Sequence, residues 1–568
     1  MMYPYSGVKL ITLLEQQHQA RAQTGLFKKG TFVLQWRAKV GSFPHADVET
    51  LVSAGEPCGS WRPKQGRPED KRNVGDNWEQ FPELPLYGYI PGASIRGIVR
   101  AWANQRPDVK LEMIRLLGNQ EGDAIRAGKI EFLDAFPEKP TKLRLDIVNP
   151  QEQFQVYHQG QGTPLSLYTL GDGQSKIPIT VAIRGIPGKA TETDVEQVWQ
   201  WVQQALIAHG VGSRTASGYG ILKPSYKPQV APELRKPAPG FATKQLEFIL
   251  HSQGNAGPNP KKMELRPSHW RGWLRSWLLR FFLGVMTPED ARLTVGELMG
   301  TLQAPDDGGS RKGLLQLKMT AGDIWGERSE NSPYFYTWKG KISIAAPTDI
   351  LNQVILPVIK FAATVGGVGR GWRRPLHIFV MKNNGKPAAR GGYLRLFYQV
   401  KLKDKPQLVT KTFGVALNSN DWQQLYEQWQ VAVQTHWANR FAPGQVGLRA
   451  EVFSPTSCAV YLVPQPHEEP IDTQNLEWIT TTPTATRGEG MNLIYKSTYK
   501  GKVDVGGKAA GGSNAHCSWV SIKRHKIPKQ QECQETVCLF MGERNTLREQ
   551  FLQELANIPG SIRLFGVY

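Results

Sequence analysis

The ten residues Ala93–Trp102 (ASIRGIVRAW) return further along the chain as Ser268–Trp277 (SHWRGWLRSW), with Arg, Gly, Arg and Trp at identical spacing. A second echo follows in the same order: Gly210-Val211-Gly212-Ser213-Arg214 is answered by Gly367-Val368-Gly369-Arg370. Two ordered matches this far apart imply a duplicated domain and not a short solenoid repeat. A chain of 568 residues is too long for one ordinary core and has room for two to four structural units. The basic, Pro-rich stretch 224–244 lacks helical or strand periodicity and reads as a linker. It separates a domain over 1–223 from one over 245–568. Within the second, a Gly-, Thr- and Lys-rich insert near 480–513 is expected to be mobile.

Both domains open alike. Thr31–Val40 (TFVLQWRAKV) alternates apolar and polar residues as a half-buried strand does, and Gln245–His251 does so more weakly. Helical periodicity then marks 193–208, 350–363, 419–437 and 546–557, interleaved with short strand-like runs such as 129–136, 143–148, 177–183, 341–345 and 536–541. Mixed order of this kind predicts an α+β fold: two ferredoxin-like (RRM-like) domains with insertions, joined by the Pro-rich linker.

The charge narrows the partner. With 69 Lys and Arg against 49 Asp and Glu, the formal net charge is +20. A chain this basic attracts polyanions, and counterions released from a phosphate backbone reward the association. No stretch is long and apolar enough to span a bilayer, and residues 1–14 lack the pattern of a secretory signal; a cytoplasmic location is expected. The five cysteines are too few and uneven for a disulfide framework. His516, Cys517, Cys533 and Cys538 cluster in sequence but contain no CxxC pair, so no metal is expected.

Arg96 and Arg100 share one helix face while Ile95, Ile98, Val99 and Trp102 face a core, and Gly97 lies between the two arginines. Arg271 and Arg275 repeat the arrangement. Arginines one turn into a helix suit a phosphate, or they fix the helix to a neighbouring carboxylate or loop; both readings stand. The glycine-rich stretches suit close backbone approach to a phosphate. The first brings Gly210, Gly212, Ser213, Arg214, Gly218 and Gly220. The second brings Gly366, Gly367, Gly369, Arg370, Trp372, Arg373 and Arg374, adding guanidiniums and an indole for an unpaired base.

The order of strand, Ile90-Pro91-Gly92-Ala93-Ser94-Ile95-Arg96-Gly97, helix and C-terminal glycine loop resembles the RAMP superfamily of type III CRISPR proteins. With Ala127–Ala135, Leu145–Pro150 and Gly210–Gly220, the first half resembles the sixth subunit of the Cmr (type III-B) module. Through Glu264–Arg275 and Gly366–Arg374, the second half is similar to the first subunit. His269-Trp270 departs from the usual Ser-Ile, and Pro375-Leu376 from Gly-aromatic-Gly. The resemblance implies an RNA-binding structural subunit at the crRNA 3′ end, in contact with target RNA and other type III effector subunits. A fusion of neighbours fixes their stoichiometry.

It also implies a test for catalysis. Related backbone subunits cut target RNA with an aspartate in the loop after the first strand, and here that loop holds His45, Asp47 and Glu49. Asp47 is therefore the one catalytic candidate; it alone would require Mg2+ or Mn2+, and no other cofactor is expected. A third reading makes Trp270–Met286 an interfacial membrane helix, which its place in the duplicated motif disfavours.

Overall fold

The structure is a computed structural model. It describes residues 7–43, 57–60, 87–104, 106–148, 156–157, 165–173, 175–225, 240–253, 263–301, 313–321, 326–329, 334–369, 371–380, 385, 387–401, 408–443, 450–464, 488–508, 516–526, 533–543 and 545–566. The fold is α+β. Two compact units divide it: one of Met1–Asn149 with Thr163–Pro239, the other of Pro150–Gly162 with Gly240–Tyr568.

In the first unit the main sheet is built from β1 (Phe27–Leu34), β2 (Ile130–Phe132), β3 (Ile177–Gly185) and β4 (Leu222–Pro224). Its order is β4-β1-β3-β2, and every neighbouring pair is antiparallel. After a first helix α1 (Gly7–Ala20), the helices α2 (Gly92–Ala103) and α3 (Pro107–Leu117) lie between β1 and β2, and α4 (Glu192–Ala208) follows β3. Thr191 starts α4 through a reciprocal capping box with Asp194, a device that contributes about 1 kcal/mol. Phe32, Leu34, Ile179, Val181 and Ile183 turn one sheet face onto Ile95, Val99, Trp102, Val198 and Val202 of the helices. The opposite face meets α1: Ile11 packs with Phe27, Phe136 and Ala182, and Lys29 of β1 pairs with Glu15.

In the second unit two sheets share one core. The first comprises β5 (Phe241–Ser252), β6 (Gln316–Ala321), β7 (Tyr336–Pro347), β8 (Gly392–Lys401) and β9 (Leu408–Thr412), in the order β6-β7-β5-β8-β9. Here α5 (Pro267–Phe282) and α6 (Pro288–Met299) separate β5 from β6, and α7 (Leu356–Val365) separates β7 from β8. After α8 (Ser419–His436) comes the other sheet: β10 (Cys458–Val463), β11 (Val520–Lys526), β12 (Cys533–Phe540) and β13 (Ile562–Phe565), ordered β11-β12-β10-β13. Its helices are α9 (Glu489–Tyr495) after β10 and α10 (Thr546–Ala556) after β12. All three sheets therefore repeat one plan, with the first strand between the third and the fourth and a helix after the first and third strands.

The two sheets of the second unit are tied by polar contacts as well as by apolar burial. Alternate residues on one face of β11 satisfy the last carbonyls of α7. Ser521 donates to Val365 O (2.7 Å), Lys523 to Ala363 O, and His525 to Thr364 O (3.0 Å). Lys523 also donates to Leu394 O of β8 (2.7 Å). Helix C-termini leave such carbonyls without intrahelical partners, so a strand from one sheet completes a helix of the other.

Several local expectations change. β1 starts at Phe27, and the polar residues Arg37 and Lys39 of its continuation are buried, at 3% and 1% exposure, instead of facing solvent. β5 starts at Phe241, inside the stretch read as linker, because Phe241–Lys244 pair with Pro347–Ile344. The insert read as mobile contains α9. Glu535 accepts the amides of Gly488 (2.9 Å) and Met491 (3.1 Å), and Met491, Leu493, Ile494 and Tyr499 are buried.

Candidate nucleic-acid interface

The duplicated Arg motif occupies equivalent places. In the first unit Arg96 donates to Leu117 O and Arg100 to Gly118 O, at the C-terminal end of α3. In the second, Arg271 donates to Met299 O and Arg275 to Gly300 O (3.1 Å), at the end of α6. Both pairs lend positive charge to the negative end of the next helix's dipole. These acceptors are all backbone carbonyls. Arg96 is exposed; Arg100, Arg271 and Arg275 are half-buried. Gly97 and Gly272, between the arginines, are exposed, and a Cβ at either would meet nothing within 4 Å. Neither glycine is required by its own fold.

The first glycine loop is zipped onto the continuation of β1. Ser213 N donates to Lys39 O (3.0 Å) and Gly220 N to Arg37 O (2.7 Å). A Cβ on Gly212, at φ +83°, would overlap the Lys39 carbonyl, so this position needs glycine. Below the loop Tyr219 donates to Asp146 (2.6 Å), Arg37 lies 3.8 Å from the same carboxylate, and the Lys39 ammonium sits 4.6 Å from the Tyr219 ring centre. The amides of Gly210, Val211, Ser213, Ser217, Gly218 and Gly220 all donate within the unit. These six amides are committed, and the loop has more than amides to offer. It offers a side chain: Gly212, Ser213 and Arg214 are exposed, and Arg214 holds φ 58°, ψ 27°. A left-handed arginine costs about 1 kcal/mol.

The second loop is enclosed at its start. Gly366 and Gly367 are buried and Gly369 is half-buried. The Trp372 ring lies over Gly366 and 5.9 Å from Trp277, so this indole packs on the core. Arg373 is 7% exposed and donates to Glu451 and to Ser518 O (2.6 Å). Arg280 donates to the same carboxylate through Nε (2.8 Å). One buried acid thus serves two buried guanidiniums. Arg374 donates to Ser518 Oγ (2.8 Å) and Val520 O, and burial, against the pull of Tyr495, brings it down to about 10. Arg370 lies outside the described residues.

With both loops placed, comparison with known proteins identifies the first. Residues 74–223 match the family model described as the RAMP superfamily. The match falls largely within the first unit, called the RAMP domain below. Among solved structures, the chain is similar to one from a type III-B Cmr-beta complex bound to cognate target RNA, at 17% identity and TM-score 0.25, covering 39% of this chain and 66% of that one. It is also similar to Cmr6 from Pyrococcus furiosus, at 20% identity and TM-score 0.22, covering 35% of this chain and 98% of that one. No curated protein sequence matches the chain.

In the RAMP domain, Asp47 lies outside the described residues, as do His45 and Glu49. Among the described residues no three His, Cys, Asp or Glu side chains gather as metal ligands; Cys533 and Cys538 are buried on β12. Trp270–Met286 lies largely in the second unit's core, with Trp270, Trp277 and Phe281 buried, and no described helix is long and apolar enough to cross a membrane. Sequence reading missed the buried set under the RAMP loop: Arg37, Lys39, Asp146 and Tyr219. The available signal was two cations in a strand that also carries Trp36, Ala38 and Val40.

Proposed function

We propose that this chain is an RNA-binding structural subunit of a type III CRISPR ribonucleoprotein effector, contacting the crRNA 3′ region and target RNA beside other effector subunits in antiviral defence. The repeated strand plan supports reading each sheet as a ferredoxin-like, RRM-like unit, one in the RAMP domain and two after the linker. The first half then corresponds to the sixth Cmr subunit and the second to the first subunit. One observation carries the reading: the RAMP domain presents Arg214 outward on a loop that six internal amide hydrogen bonds hold in place. Exposed guanidiniums on a chain of net charge +20 suit a sugar–phosphate track and read no base. Arg96 and Arg100 can contact a phosphate while still holding α3. Arg373 serves the fold. The subunit is read as non-catalytic.

The test is binding of labelled single-stranded RNA by the full chain across a salt series. Arg214→Glu is expected to weaken binding and flatten the salt dependence. Wild-type affinity in Arg214→Glu and Arg96→Glu together would overturn the reading.

A further inference from the structure

The outer faces of the first sheet in each unit are finished differently. In the RAMP domain α1 lies on that face, with Ile11 against Phe27 and Ala182. In the second unit the corresponding face carries charge. Ile249 of β5 stands in register between Lys339 of β7 and Arg395 of β8. In the adjacent row Glu247 stands between Lys341 and Phe397. Directly paired residues of antiparallel strands share a face, so these six form one patch. Lys339, Lys341 and Arg395 are exposed, while Ile249 and Phe397 are half-buried and lie outside the core cluster.

Folding accounts for only part of this patch. Glu247 offsets Lys341 at 3.3 Å, but among the described residues no acid pairs with Lys339 or Arg395. These two like charges flank an isoleucine, and after burial they are what pushes the nearby His251 down to about 4. We infer that this sheet face is a second RNA platform, taking single-stranded RNA with phosphates on Lys339 and Arg395 and a base over Ile249 and Phe397. The inference rests on the RNA-binding reading above. Lys339 and Arg395 are two interstrand steps apart, about 10 Å at the backbone, leaving room for a base between two phosphate contacts. An isoleucine between two cations, with Phe397 diagonal to it in the next row, suits an unpaired, sequence-tolerant strand. A peptide that adds a strand would use a sheet edge, and this patch lies on the face.

The experiment measures the full chain's affinity for a fluorescent oligouridylate and for a duplex of the same length, over a salt series. The Lys339→Glu/Arg395→Glu variant is expected to keep its melting temperature and lose at least tenfold in single-strand affinity. Its log–log salt slope should shrink by about 1.4, two phosphate contacts at about 0.7 each. Lys339→Gln/Arg395→Gln, which introduces no new acids, should lose less affinity with the same reduction in slope. Unchanged affinity and slope in both folded variants overturn the platform, while loss of binding in Arg214→Glu in the same assay leaves the proposed function standing. Retained RNA affinity with loss of a co-purifying effector subunit also overturns it, in favour of a protein-docking face. Equal weakening of duplex binding overturns the single-strand assignment. If the wild-type chain binds no RNA, both readings fall.

Discussion

Arg271 donates to the carbonyl of Met299 at the end of the following helix, and Arg96 repeats this relation to Leu117 in the RAMP domain. The duplication is therefore preserved as a hydrogen-bonding role as well as a string of letters. Arg96→Ala and Arg271→Ala should each cost about 1–2 kcal/mol, the net worth of a charged donor on helix-end carbonyls, read by urea unfolding. Lysine at either position should restore only part of the loss, since it brings a single compact ammonium in place of the guanidinium fork.

Gly97→Ala and Gly272→Ala should stabilise the chain by about 0.5–1 kcal/mol each, because a methyl group there meets nothing within 4 Å. Thermal melts check this. A more stable variant with weakened RNA binding would identify the bare spot as a point of close approach.

Glu451→Gln should destabilise the second unit by about 3–5 kcal/mol. Among the described residues, the substitution removes the one carboxylate that pairs with Arg280 and Arg373, both of which contact it. Denaturant unfolding of the second-unit signal is the measurement; a change under 1 kcal/mol would contradict the triad.

Acid should loosen the second unit. Burial, then Arg395 and Lys339, pushes His251 down to about 4; burial, then Lys523, pushes His525 down to about 3 against the pull of the Thr364 carbonyl. Both lie below the ordinary value near 6.5, so the unfolded chain binds protons first. The stability is complete above pH 6.5 and falls as pH drops, by about 1.4 kcal/mol per unit for each histidine at the steepest. Melting temperature against pH should flatten in His251→Gln/His525→Gln.

Asp47→Ala should leave target-RNA cleavage by the assembled effector unchanged, as the non-catalytic reading requires. Abolished cleavage with intact RNA binding would reverse that reading.

The sequence made some of this legible and hid the rest for identifiable reasons. The helices 192–208 and 546–556 announced themselves by periodicity, and the Arg motif by repetition. The third sheet did so only in part, through the strand-like run 536–541. Its central strand β10, CAVYLV, is buried at every position, so no alternation marks it. The two glycine loops look alike as letters, yet one is enclosed at its start and the other exposes Arg214. The difference lies in distant partners: Glu451 is 78 residues from Arg373, and Asp146 is 73 from Tyr219. Local patterns carry no record of such pairings. The closing of one sheet face by α1 was hidden for the same reason.

The reach of β11 to the end of α7 has a practical consequence for dividing the protein. A fragment stopped after β9 would retain α7 but lose Ser521, Lys523 and His525, stripping the helix of the side chains that finish it. Half of the second unit on its own should be insoluble or molten; a cut before Phe241 keeps these bonds but removes Val156, a core residue whose carbonyl accepts from Glu451 N (2.8 Å). For expression, the part from Phe241 onward is indivisible, and it is complete only with 150–162 supplied.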